Sequence, residues 1–169
     1  MSSTTETALM SLLAPLSGQA VPLEQVPDDV FSQKILGDGI AIIPADGKLY
    51  APVDGEIASI AETLHAYGFT SENGMEILVH VGLDSVALKG EGFKSHVQLG
   101  DKVKKGQLIA EVDLKFLESK GVPTITPVLI CEGAEDLKMN TITGNVRAGK
   151  DTVIILGEEN AVEAVVEPV

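Results

Sequence analysis

Short aliphatic runs alternate with glycine turns along most of this chain, and that alternation restricts the fold more than any other feature. The runs IAIIP, KLYAPV, EIASIAETL, EILVHV, QLIAEVDL, ITPVLI and DTVIIL are divided by turn signals at Gly37-Asp38-Gly39, Asp46-Gly47, Asp54-Gly55, Asn73-Gly74, Gly90-Glu91-Gly92, Gly100-Asp101, Lys105-Gly106 and Gly144-Asn145. Runs this short, joined by Asp-Gly and Asn-Gly pairs, predict an all-β fold: an antiparallel β-sandwich or flattened barrel. Helical signals are limited to a few short turns, at residues 28–34, at 114–120 with Gly121 beyond its end, and at 133–138. Residues 8–16 form a short apolar patch, and Ser17-Gly18 reads as a turn before AVPL.

A chain of 169 residues is the size of one domain, able to bury roughly two-thirds of its unfolded surface without cross-links. The boundaries expected are a flexible N-terminus over residues 1–8, a single sandwich domain over 9–157 and an acidic tail, EENAVEAVVEPV, over 158–169. Met1 and that tail favour a free-standing chain over a module of a larger transporter. A net charge of −13 argues against a nucleic-acid ligand and against adhesion to anionic lipid. It suits a basic protein partner. No stretch reaches the roughly 18 apolar residues of a membrane span, and MSSTTETALMSLLAPL lacks the basic start of a signal peptide. The single cysteine, Cys131, excludes an internal disulfide and reads as a buried structural thiol in TPVLIC. A reducing, cytoplasmic setting is expected.

The chemistry-bearing segment is GMEILVHVGLDSVALKGEGF, residues 74–93. With residues 76–81 extended, Ile77, Val79 and Val81 share one face, while Glu76, Leu78 and His80 share the other. His80 is then not part of the aliphatic face, and Gly82 lets backbone or a ligand come close. His65 lies upstream in AETLHAYG; if that segment is also extended, Thr63 shares its face. An imidazole can act as nucleophile, base or phosphoryl acceptor near neutral pH. Thr63 can hold one ring nitrogen of His65, and Asp84 is close enough in sequence to tune the charge. His96, in FKSHVQLG, has no such company and reads as surface.

Two partial resemblances compete. HVGLD fits the H-x-x-x-D half of a lysostaphin-type zinc peptidase, and SHVQLGDKVKKGQLI is similar to the strand region of those enzymes. Zinc hydrolysis needs three protein ligands and one open position, and no histidine follows His96 to complete the set. APVDG, GDKVKKGQ and LKMN are similar to a biotin- or lipoate-carrying module, with Lys138 as the residue to be modified. In such modules the lysine hairpin follows the GDxVKKGQ strand closely, whereas Lys138 lies far beyond Gln107.

A fuller resemblance runs from about Ala14 to Leu156. VPDDVFSQKILGDGIAI, APVDG, ETLHAY, ILVHVGLDSVALKGEGF and ITPVLI stand in the order found in the glucose-class enzyme IIA proteins of the bacterial phosphoenolpyruvate–sugar phosphotransferase system. The resemblance implies an antiparallel β-sandwich with a shallow active-site depression. It implies that His80 accepts a phosphoryl group from the histidine phosphocarrier protein and passes it to a cysteine of a sugar permease's IIB domain. His65 would hydrogen-bond the phosphoryl group, and Thr63 would orient that ring. Asp28 and Asp84 match acids that face arginine on the phosphocarrier, and Val30, Phe31, Ile35, Leu36 and Val86 match an apolar docking rim. Ile35 would equally suit an ordinary core.

The chain departs from that pattern at Ala61 and Leu78, where enteric members commonly carry phenylalanine, and at Leu64, which replaces a polar residue. In those bacteria the unphosphorylated protein inhibits glycerol kinase and sugar permeases, in some cases through a zinc ion shared by both histidines. Here His65 and His80 would supply two zinc ligands, leaving the site incomplete. The transfer itself requires no cofactor.

Overall fold

The computed structural model describes residues 8–157. The expectations for the flexible N-terminus and the acidic tail therefore lie outside the described residues, except at Ala8, where the first strand begins. In chain order the strands are β1 (Ala8–Leu13), β2 (Gly18–Pro22), β3 (Asp38–Pro44), β4 (Lys48–Tyr50), β5 (Gly55–Ile60), β6 (Ala66–Ser71), β7 (Glu76–His80), β8 (Phe93–Ser95), β9 (Lys102–Val103), β10 (Leu108–Val112), β11 (Thr126–Glu132), β12 (Lys138–Thr141), β13 (Gly144–Val146) and β14 (Thr152–Gly157). Two helices, α1 (Asp29–Ser32) and α2 (Leu114–Ser119), and 3₁₀ turns at Leu23–Gln25 and Ser85–Leu88 interrupt them. None of these helices is long and apolar enough to cross a membrane.

An eight-stranded antiparallel sheet in the order β13-β2-β3-β11-β7-β6-β5-β9 forms one layer. Two three-stranded sheets, β1-β14-β12 and β4-β10-β8, share its core. Leu12, Ile154 and Leu156 from the first and Leu49 and Ile109 from the second pack with Ile40, Ile57, Phe69, Ile77, Val79 and Val128 of the large sheet. That burial of aliphatic faces against one another is the antiparallel sandwich that the turn-and-run pattern predicts.

The large sheet is also covered on part of its other face. Val21, Leu23, Val26, Phe31, Ala41, Leu83 and Leu129 form a second, smaller cluster with Leu78 packed against it. The excursion between β2 and β3 supplies Leu23, Val26 and Phe31 to this cluster, and it is pinned there by their near-complete burial. Asp28 caps α1 by accepting from Val30 N at 2.9 Å, so the short helix is fixed where the polar cap and the Phe31 anchor agree.

Alternation along β7 is as read: Ile77 and Val79 are buried in the main core, and Glu76, Leu78 and His80 face the other way, half-buried. Several turn assignments differ. Gly39 and Gly144 lie inside β3 and β13 rather than in turns. At Gly39 a Cβ would collide with the carbonyl of Val128 on the paired strand β11, so glycine is required by close backbone approach. Cys131 is half-buried rather than buried, and burial, with Glu76 and Glu132 nearby, pushes its thiol pKa up. Lys138 begins β12 and pairs in register with Gly157, unlike the hairpin-tip lysine of a carrier module.

We expect Gly39→Ala to destabilise the fold by about 2 kcal/mol or more, read as a lowered urea midpoint. An unchanged midpoint would mean that β3 and β11 do not approach as closely as described.

Candidate active site

His80 is the last residue of β7, on the face that carries the smaller cluster. Its Nδ1 lies 2.8 Å from the carbonyl oxygen of Gly82. A carbonyl only accepts, so Nδ1 carries the hydrogen and donates it. The neutral ring then holds its free lone pair on Nε2. The bond requires the chain to fold back within two residues, which Gly82 permits at φ +78.

His65 reaches the same place from a different kind of element. Residues 61–65 form the turn between β5 and β6 rather than an extended segment, with Leu64 N donating to Ala61 O at 2.8 Å. Leu64 adopts a left-handed φ of +63, and this reversal replaces the strand alternation expected there. Thr63 and His65 meet nonetheless: Thr63 Oγ1 lies 2.7 Å from His65 Nδ1. The hydroxyl can donate or accept, and when it donates, the ring hydrogen of His65 resides on Nε2. Val81 N donates to His65 O at 2.7 Å, tying the hairpin turn to the end of β7.

The two imidazoles are edge-to-face, with centroids 4.8 Å apart and planes at 79°. The Phe31 ring lies tilted against His80, with centroids 5.1 Å apart and planes at 53°. Phe31 is itself buried in the smaller cluster, so it borders the ring without being an exposed rim residue. Val30, Ile35, Leu36 and Val86 are exposed at 41%, 65%, 45% and 59%. Ile35 is thus surface, not core. Leu78 lies two residues before His80 on the same face, and Asp84 is exposed at the start of the Ser85–Leu88 turn in left-handed conformation. A surface cleft of about 510 Å³ is lined by Asp54, Gly55, Thr70, Ser71 and Lys102 at the opposite ends of β5 and β6. It is roughly 20 Å away by strand length. The histidines instead occupy an open, apolar-bordered face.

His96 is exposed, with Nε2 2.7 Å from Glu111 Oε2, and takes no part in the pair. Among the described residues no group of three or more ligating side chains could hold a metal ion. With both Nδ1 atoms engaged, only the two Nε2 atoms are left for an ion. Sequence reasoning missed the carbonyl of Gly82 as the partner of His80, and the full burial of Ser85 just beyond it. The only signal for either was the Gly-x-x-Ser spacing after the histidine strand.

Burial is the main cause holding both imidazoles below the ordinary histidine pKa. For His65 the neighbouring His80 adds to it; for His80 the hydrogen bond to Gly82 and the carboxylates of Asp28 and Asp84 oppose it. In the unfolded chain these rings take up protons around pH 6.5, but in the fold they do so at lower pH. The unfolded state then binds more protons in that interval, so stability present above about pH 6.5 is lost as pH falls. The urea midpoint should drop between about pH 7.5 and pH 5, and should drop less in His65→Gln; an equal drop in both would show that His65 is not held neutral. Left-handed backbone costs a leucine about 1–2 kcal/mol, which asparagine largely avoids. Leu64→Asn should therefore raise stability by about 1 kcal/mol, and a lower melting temperature would contradict the strain.

A family model described as phosphoenolpyruvate-dependent sugar phosphotransferase system, EIIA 1, matches residues 10–135. The PTS system glucose-specific EIIA component of Oceanobacillus iheyensis is 42% identical over 147 residues, covering 86% of this chain and 88% of that protein. The PTS system glucose-specific EIICBA component of Staphylococcus saprophyticus is 47% identical over 121 residues, 72% of this chain. The chain spans only about a fifth of the length of such EIICBA relatives, 18% in that case. Among solved structures, the glucose permease IIA from Mycoplasma capricolum matches with a TM-score of 0.80 at 38% identity, over 86% of this chain and 94% of that one. This chain belongs to the EIIA 1 family of the phosphoenolpyruvate-dependent sugar phosphotransferase system.

Proposed function

We propose that the chain is a cytoplasmic phosphoryl relay in sugar uptake. His80 accepts the phosphoryl group from the histidine phosphocarrier protein and gives it to the cysteine of a IIB domain in a glucose-type permease. The observation that carries this reading is the bond from His80 Nδ1 to Gly82 O, which leaves Nε2 as the nucleophilic nitrogen beside a second imidazole.

In the first transfer the Nε2 lone pair forms a bond to phosphorus as the donor's nitrogen–phosphorus bond breaks, and that electron pair returns to the donor ring. The Nδ1 hydrogen stays in place against Gly82 O, so no proton need move while phosphorus changes partners. Positive charge gained by the His80 ring is favoured by the carboxylates of Asp28 and Asp84, which act on it electrostatically. In the second transfer the cysteine thiolate attacks phosphorus and the electron pair returns to Nε2. A loose phosphoryl transition state needs alignment and charge stabilisation more than covalent machinery. With Thr63 donating to Nδ1 of His65, its Nε2–H is available to phosphoryl oxygens.

Docking would use the exposed Val30, Ile35, Leu36 and Val86, which can exclude water from the transferring group. Asp28 and Asp84 stand beside them to meet arginine on a basic partner. The same face, unphosphorylated, would serve regulatory targets such as glycerol kinase or permeases. There the two Nε2 atoms would hold half of a zinc site, with further ligands from the partner binding the two proteins together. No metal is needed for the transfer.

The test is reconstitution with phosphoenolpyruvate, the system's general kinase and the phosphocarrier. His80→Ala should take up no phosphate, and uptake at the wild-type level would refute its role. His65→Gln should be labelled but pass the group on roughly a hundredfold more slowly; efficient onward transfer would remove His65 from the mechanism.

A further inference from the structure

We propose that Ser85 is a positioning residue for the phosphoryl acceptor, acting by fixing the Gly82 carbonyl that selects the ring tautomer of His80. This rests on the reading of His80 as the acceptor. Ser85 follows the exposed Asp84, yet it has no solvent exposure. A buried hydroxyl is costly unless partnered, and its Oγ donates to the Val81 carbonyl at 2.5 Å.

The location of that bond gives it a consequence. Two peptide planes meet at the Gly82 Cα. The plane before it contains the Val81 carbonyl, held by Ser85. The plane after it contains the Gly82 carbonyl, which faces His80 Nδ1, and the Leu83 N–H, which donates to Pro123 O at 3.0 Å. Gly82 at φ +78 is the swivel between them. A glycine lacks the Cβ that would restrict it, so the neighbours must do so. A Cβ built on Gly82 would lie 2.6 Å from Ser85 Oγ and 2.8 Å from Pro123 O, so the same two residues also close around the glycine itself.

Removing the hydroxyl leaves the carbonyl of the buried Val81 without its partner and releases one of the two planes. The Gly82 carbonyl then leaves the line of Nδ1, and the ring hydrogen redistributes toward Nε2. A ring protonated on Nε2 has no lone pair there to offer phosphorus.

The experiment reads tautomer and transfer separately. Imidazole ¹⁵N shifts of the unphosphorylated protein at neutral pH report which His80 nitrogen is protonated. Phosphoryl uptake from the phosphocarrier reports function. Ser85→Ala should raise the Nε2–H population and slow uptake roughly three- to tenfold. Ser85→Thr, which keeps the hydroxyl, should restore both. Ser85→Cys keeps the side chain's size with only a weak donor, and it serves if the alanine variant does not fold; it should fall between alanine and wild type. Folded variants with wild-type tautomer populations would overturn the proposal, including a case where uptake slows without any tautomer change, which is what a purely structural role predicts. Failure of the underlying reading looks different: His80→Ala would still be labelled while the tautomer shift in the Ser85 variants persisted.

Discussion

The hydrogen bond from His80 Nδ1 to the Gly82 carbonyl is the contact on which the proposed phosphoryl relay depends. An imidazole has two nitrogens of similar basicity, and only a directional partner can decide which one is left to react. Here the decision is made by backbone, two residues further along the same chain. It therefore depends on the chain's path after β7, not on a side chain that could rotate away. The left-handed Gly82, the buried Ser85 and the brace to Pro123 all serve that path.

The sandwich supplies the rigidity that this arrangement needs. β7 sits between β11 and β6 inside the eight-stranded sheet, and its Ile77 and Val79 are locked in the main core. That fixes the opposite face, so Leu78 and His80 are presented to the smaller cluster. Phe31 arrives there from the β2–β3 excursion and abuts the His80 ring. The second histidine depends on the same scaffold, because Val81 N bonds to His65 O. The result is a paired-imidazole face that is firm beneath and open above. A partner protein can reach such a face directly, without entering a cavity.

Much of this was legible in the sequence because it follows from local rules. Alternation in EILVHV separated His80 from the core face, and the short helical signal over residues 28–34 marked the place of α1. The order of motifs carried the family resemblance, which the comparisons bear out. Other features depended on tertiary geometry. Residues 61–65 alternate like a strand, but Leu64 turns the chain left-handed, and a leucine gives no warning of that. Gly39 looks like one more turn glycine, though its real reason is the Val128 carbonyl across the sheet. The exposure of Ile35 and the burial of Phe31 could not be separated, since both are apolar and close in the chain. A carbonyl aimed at an imidazole leaves no trace in residue types at all.

The most direct measurement of the account is the site of the phosphorus–nitrogen bond in the phosphorylated protein. Labelling the histidines with ¹⁵N and reading phosphorus–nitrogen coupling by NMR identifies both the residue and the ring atom. The account predicts phosphorus on Nε2 of His80, with Nδ1 of that ring still hydrogen-bonded. Phosphorus on Nδ1 of His80, or on His65, would contradict it.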